Sequence, residues 1–98
     1  MFVAVSKISF EDGLSSYDQK ELKSLSESLR KRFGVCAKPF HDPNSSSHAI
    51  VLTCLEYKQS SLSLKLDKIS SFCEESGFGR VDSESTFFEH LDNLFDEE

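Results

Sequence analysis

Three cysteines, Cys36, Cys54 and Cys73, and three histidines, His41, His48 and His90, are the side chains best suited to hold a metal or attack an electrophile. Their spacing argues against both. Structural zinc sites pair their ligands at short intervals, and no such pair occurs here. An odd number of cysteines without short spacing is also a poor disulfide framework, so reduced and mostly buried thiols are expected. A nucleophilic cysteine needs a base within reach. Cys36 and Cys54 fall on adjacent expected strands, and His41 and His48 flank the hairpin between them. The plainer expectation places Cys54 in the core and leaves these histidines as solvated loop groups. No catalytic residue, no metal ligand and no cofactor is expected, and the chain is not expected to be an enzyme.

Two other chemistries fail at the level of residue type. Acyl-phosphate hydrolysis needs an anion cradle with an arginine after the first strand, and the loop EDGLSS at 11–16 offers acids, one glycine and no arginine. RNA reading of the RRM kind needs aromatic residues on the third strand. The fragment GFGRV at 77–81 resembles part of that motif but opens the fourth strand instead, with Arg80 where an aromatic residue belongs. A basic cluster remains: Arg30, Lys31, Arg32 and Lys38. It complements the negative end of a helix dipole and is the candidate contact for RNA or an acidic partner. The formal net charge is −6, with 11 Lys/Arg against 17 Asp/Glu. The excess acid lies in residues 59–98. The chain is therefore not drawn broadly to phosphate backbones, and any RNA contact is local and weak.

These residues must be held by a fold that 98 residues can build around one core. FVAVSKISF at 2–10 alternates as a strand, with Phe2, Ala4, Ile8 and Phe10 on one side. Val3, Val5, Lys7 and Ser9 take the other, which Lys7 marks as outward. Ser16 and Gln19 form a capping-box pattern before a helix over 17–33, whose stripe is Leu22, Leu25, Leu29 and Phe33. Gly34 suits its C-cap. Residues 35–40 read as a second strand, confined to an edge by Pro39. The stretch HDPNSSS at 41–47 is a loop. Residues 48–57 are apolar on both alternating sets, as a central strand should be.

Ser60 or Ser61 can cap a second helix over 61–76, with Leu62, Leu66, Ile69, Phe72 and Cys73 as its stripe and Gly77 at its end. A short strand over 79–84 turns Val81 inward and Arg80, Asp82 and Glu84 outward. Thr86 and Glu89 then look like another capping box. Phe87, Leu91 and Leu94 recur at helical spacing, and DEE closes the chain.

The expected fold is α+β: a ferredoxin-like βαββαβ sandwich over residues 1–85, with a four-stranded antiparallel sheet and two helices on one face. Residues 86–98 are expected to form a C-terminal amphipathic helix and acidic tail. The other sheet face exposes Val3, Val5, Val51, Leu55 and Tyr57. An apolar patch of that size needs a cover. The terminal helix, a second copy in a homodimer, or another partner could each supply it. No apolar run is long enough to span a membrane, and the opening MFVAVSKISF lacks the basic start of a signal peptide, so a cytoplasmic protein is expected.

The stretch LKSLSESLRKRFGVCAKPF at 22–40 resembles the YlxP-like family of small bacterial proteins of unknown function. The likeness extends over about residues 1–85, through MFVAVSKISF, HAIVLTCLEY and LDKISSFCEES. It implies a ferredoxin-like fold without established catalytic activity, and a link to ribosome assembly or translation. The basic LRKRF carries over as Arg30, Lys31, Arg32 and Phe33. A basic motif entering the first helix and a hairpin tryptophan do not carry over, which makes this a divergent member. The expected function is a non-catalytic interaction module that contacts a protein or ribosomal particle through Arg30, Lys31, Arg32 and Lys38. The alternative is a small-molecule-sensing regulatory domain resembling the ACT type.

Overall fold

The computed structural model describes residues 1–10, 18–41, 48–75 and 81–94; the side chains of Asp18, Gln19, His41, Asp82 and Leu94 lie outside that description. Strand β1 (Phe2–Phe10) keeps its alternation: Ala4, Ile8 and Phe10 are buried, whereas Val5 is exposed. Helix α1 (Asp18–Phe33) lays Leu22, Leu25 and Leu29 onto the sheet. Ser26 shares that buried stripe and hides its hydroxyl by donating to the Leu22 carbonyl, 3.0 Å away. The helix stops at Gly34, whose φ of 66° lets its N–H close a 3.1 Å bond onto the Arg30 carbonyl.

Strands β2 (Cys36–His41) and β3 (His48–Glu56) pair antiparallel. Helix α2 (Gln59–Glu75) returns over the same sheet face as α1 and buries Leu62, Ile69 and Cys73. It starts two residues earlier than the serines suggest, with the Leu62 N–H bonded to the Lys58 carbonyl, so Ser60 and Ser61 sit inside its first turn. The stripes around Leu25 and Ile69 meet in one core cluster with Ile8, Ile50 and Leu52. The four-stranded antiparallel sheet runs β2-β3-β1-β4, consistent with a ferredoxin-like fold.

The last strand departs from expectation. Strand β4 spans Val81–His90, and the described part of the terminal helix α3 is Leu91–Leu94. Residues 86–90 are therefore strand, not helix. Thr86 caps nothing; its hydroxyl meets that of Ser6 across the sheet at 3.0 Å. The cause is register: β1 offers an unpaired edge from Phe2 to Phe10, and β4 matches it along its whole length. A bulge between Ser9 and Phe10 of β1 puts two β4 positions opposite one step. Val81 still packs against the core; Glu84 pairs with Ile8, which puts it on the helix side of the sheet, where it remains exposed. Ser70 of α2 donates its hydroxyl to the Glu84 carboxylate. His41, expected to open the loop at 41–47, ends β2 instead. The expected cap at Ser16, the loop at 11–16, the rest of the loop at 41–47, Gly77 and Arg80 of GFGRV, and the DEE tail lie outside the described residues.

Candidate functional site

The structure divides the predicted basic cluster. Arg30 bends back to donate to the Ala37 carbonyl at the start of β2, so it ties helix to strand. Lys31 is exposed. Lys38 pairs with Val51 and lies on the sheet face away from the helices. Arg32 stays on the helix side, with its guanidinium 4.9 Å from the Phe72 ring centre and 5.9 Å from that of Phe33. The two rings meet edge to face at 5.7 Å. A guanidinium over aromatic faces is held in place yet keeps its N–H groups free to donate.

Arg32 borders two adjoining depressions, of about 300 and 440 Å³, which share Phe33 and Lys68 with it. Lys65 adds a second ammonium, steered by a 2.7 Å ion pair with Glu56. The sequence reading did not single out Lys65 and Lys68, which this groove brings beside Arg32. Asp67 and Glu75 also line it, so its field is mixed rather than uniformly positive.

A smaller pocket of about 190 Å³ opens between α2 and β4. Ser6, Ser63, Asp67, Ser70, Glu84 and Thr86 give it a lining of hydroxyls and carboxylates. It exists because β4 sets Glu84 and Thr86, both exposed, on the helix side of the sheet.

The cysteines do not converge. Cys36 pairs with Thr53 on the open face and is exposed, whereas Cys54 points into the core. Burial pushes the Cys54 thiol up, and the Lys65 ammonium offsets only part of that. Burial, helped by Glu84 and Glu74, pushes Cys73 up to about 12. Such thiols are poor nucleophiles at neutral pH. His48 is not a solvated loop group: it is a β3 residue, 8% exposed, opposite Phe10. Five strand positions, about 16 Å, separate it from Thr53, the residue opposite Cys36. The His41 side chain lies outside the described residues, and no cluster of three metal-binding side chains occurs among those described. No described helix is long and apolar enough to cross a membrane.

The open face stands as the alternation implies. Val3, Val5, Val51 and Leu55 share it, with Val5 40% and Leu55 56% exposed. Tyr57, 79% exposed, lies just past the end of β3. Phe87, opposite Val5, is 57% exposed and joins the patch, a residue the helical reading of the C-terminus had removed from the sheet. The described part of α3 packs beside β4, and these residues remain uncovered.

No family model matches the chain, and no curated protein is similar to it. Among solved structures it is similar to the crystal structure of At3g17210 from Arabidopsis thaliana, with a TM-score of 0.57 and 13% identity. That likeness covers 92% of this chain and 94% of the other. At such identity it bears on the fold alone.

Proposed function

We propose that this chain is a ferredoxin-like, non-catalytic interaction module, working in translation or ribosome assembly, that grips an anionic partner through the groove between α1 and α2. The observation that carries this reading is Arg32 stacked on Phe72 and Phe33 with Lys68 and Lys65 beside it. A fixed guanidinium with two ammoniums beside it, that of Lys65 shared with Glu56, suits phosphate or carboxylate groups presented at intervals. The raised thiol pKa values and the distance between Cys36 and His48 favour binding over covalent chemistry. The resemblance to YlxP-like proteins supplies the link to the ribosome. The mixed charge of the groove fits a local contact rather than a long phosphate track.

The test is co-sedimentation with ribosomal particles over a range of salt. Retention should fall as salt rises, and Arg32→Glu with Lys68→Glu should weaken it about tenfold or more. Retention indifferent to both salt and charge reversal would rule the reading out.

The pocket between α2 and β4 favours a second reading, a small-molecule sensor of the ACT kind. At about 190 Å³ it would admit an amino acid or something smaller. Ligand binding to the folded chain raises its melting temperature by mass action. A thermal screen against amino acids that stays flat retires this alternative.

A further inference from the structure

We propose that two copies of this chain pack through their open sheet faces, strands crossing near a right angle, with Lys38 of each copy opposite Glu89 of the other. The register fixes where the charges sit. Reading across the sheet, Lys38, Val51, Lys7 and Ser85 form one row. Val3 and Glu89 belong to the row four β1 positions away, together with Leu55. Lys38 is on edge strand β2 and Glu89 on the opposite edge, β4. Lys7 reinforces the basic corner, reaching toward β2 with its Nζ 5.1 Å from the Phe40 ring centre.

The two corners are three strand spacings apart in one direction, about 14 Å, and four residues apart in the other, about 13 Å. They therefore mark the ends of a diagonal of a nearly square patch. A twofold axis lying in the face along the other diagonal exchanges the corners. It sets the basic corner of each copy on the acidic corner of the other, twice, and turns the strands by about 90°, which is one of the two usual ways sheets stack. Val5 sits near the centre of this patch, flanked by Phe87, Val3 and Val51. An axis along the strands would instead place Lys38 over Ser85, and an axis across them would place Glu89 over Ser85. Only the diagonal pairs the charges.

Glu89 is well prepared for this role. Its Oε1 accepts from Asn93 Nδ2 at 2.8 Å and from the His90 N–H at 3.0 Å, which anchors the carboxylate at its corner. Those same bonds hold its pKa below the usual range, so it stays charged. The face shared by two copies crossed at a right angle, about four strands by six residues, covers roughly 400 Å² per copy before side-chain relief, which puts this at the small end of specific interfaces beside the ~800 Å² per partner of a standard one. The groove at Arg32 lies between the helices, on the other side of the sheet, so this pairing would leave it open on both copies.

The experiment is sedimentation equilibrium on the full chain across a wide concentration range. Unaltered protein should run at twice the 11.1 kDa of one chain in the tens of micromolar. Leu55→Asp should yield monomer. Lys38→Glu and Glu89→Lys should each loosen the dimer at least about tenfold, and the double exchange should recover most of the loss. Both charged positions are on the sheet surface, and far-ultraviolet dichroism checks that each variant keeps its fold. An unaltered chain that stays monomeric at hundreds of micromolar overturns the proposal. So does a dimer unmoved by Leu55→Asp, or single reversals that the double exchange does not repair.

Discussion

One sheet presents two faces with the same alternating backbone and opposite fates. Toward the helices, Ala4, Ile8, Ile50, Leu52 and Cys54 are at most 2% exposed. Away from them, Val5, Leu55 and Phe87 are at least 40% exposed. The residue types overlap, so hydrophobicity does not separate the faces. What separates them is chain connection: both long helices return over one side and join a single core. The folded monomer thus builds its core on one face and leaves the other largely exposed. The chemistry follows that division. Thiols on the helix side are buried with raised pKa values, whereas Cys36 on the open side is exposed.

The widest contrast should come from leucines on the two sides. Leu29→Ala removes a fully buried side chain and should cost about 2–5 kcal/mol in urea unfolding. Leu55→Ala, measured at dilution where only monomer is present, should cost under about 1 kcal/mol. Equal costs would mean that the open face is structural after all.

A pH effect of intermediate size belongs to the buried side alone. The Cys73 thiol rises from 9.0 to about 12 on folding. Below pH 9 it is neutral in both states and its contribution is intact. Between about pH 9 and 12 the unfolded chain releases a proton that the folded chain retains, so stability should fall by up to about 1.4 kcal/mol per pH unit. Unfolding curves at successive pH values should show that slope flattened in Cys73→Ala. An unchanged slope would show that other groups govern alkaline unfolding.

The smallest effect tests how tightly the covered side is tethered. Gly34 joins α1 to β2 at positive φ, and a Cβ placed there meets nothing within 4 Å. Gly34→Ala should therefore carry only the backbone penalty, about 1 kcal/mol. A larger loss would point to a steric role.

Much of the covered side was legible in the sequence. The alternation in FVAVSKISF and the stripe from Leu22 to Phe33 each admit one reading, because a one-residue shift would bury Lys7 or Glu21. The C-terminus was not. Phe87, Leu91 and Leu94 fit a helical stripe, while Thr86, Phe87 and Phe88 suit a strand equally well, and local periodicity cannot choose. The unpaired edge of β1 chooses, and it lies nearly eighty residues away. The groove was half legible: LRKRF marked Arg32, but its meeting with Phe72, Lys65 and Lys68 depends on how α1 and α2 lie against each other. Lys38 illustrates the reverse, since neighbours in sequence were parted by the pleat.

The bulge beside Ser9 makes chain length itself a determinant here. Position 82 is the supernumerary residue that restores phase between Val81 and the remainder of β4. Deleting it would leave two outcomes, both costly. Either Val81 turns outward, or the strand inverts from Ser83 onward, sending Phe87 beneath the helices and Glu84 and Thr86 onto the bare side. A family of such domains could thus tolerate many substitutions along its final strand while forbidding a single-codon loss at that point.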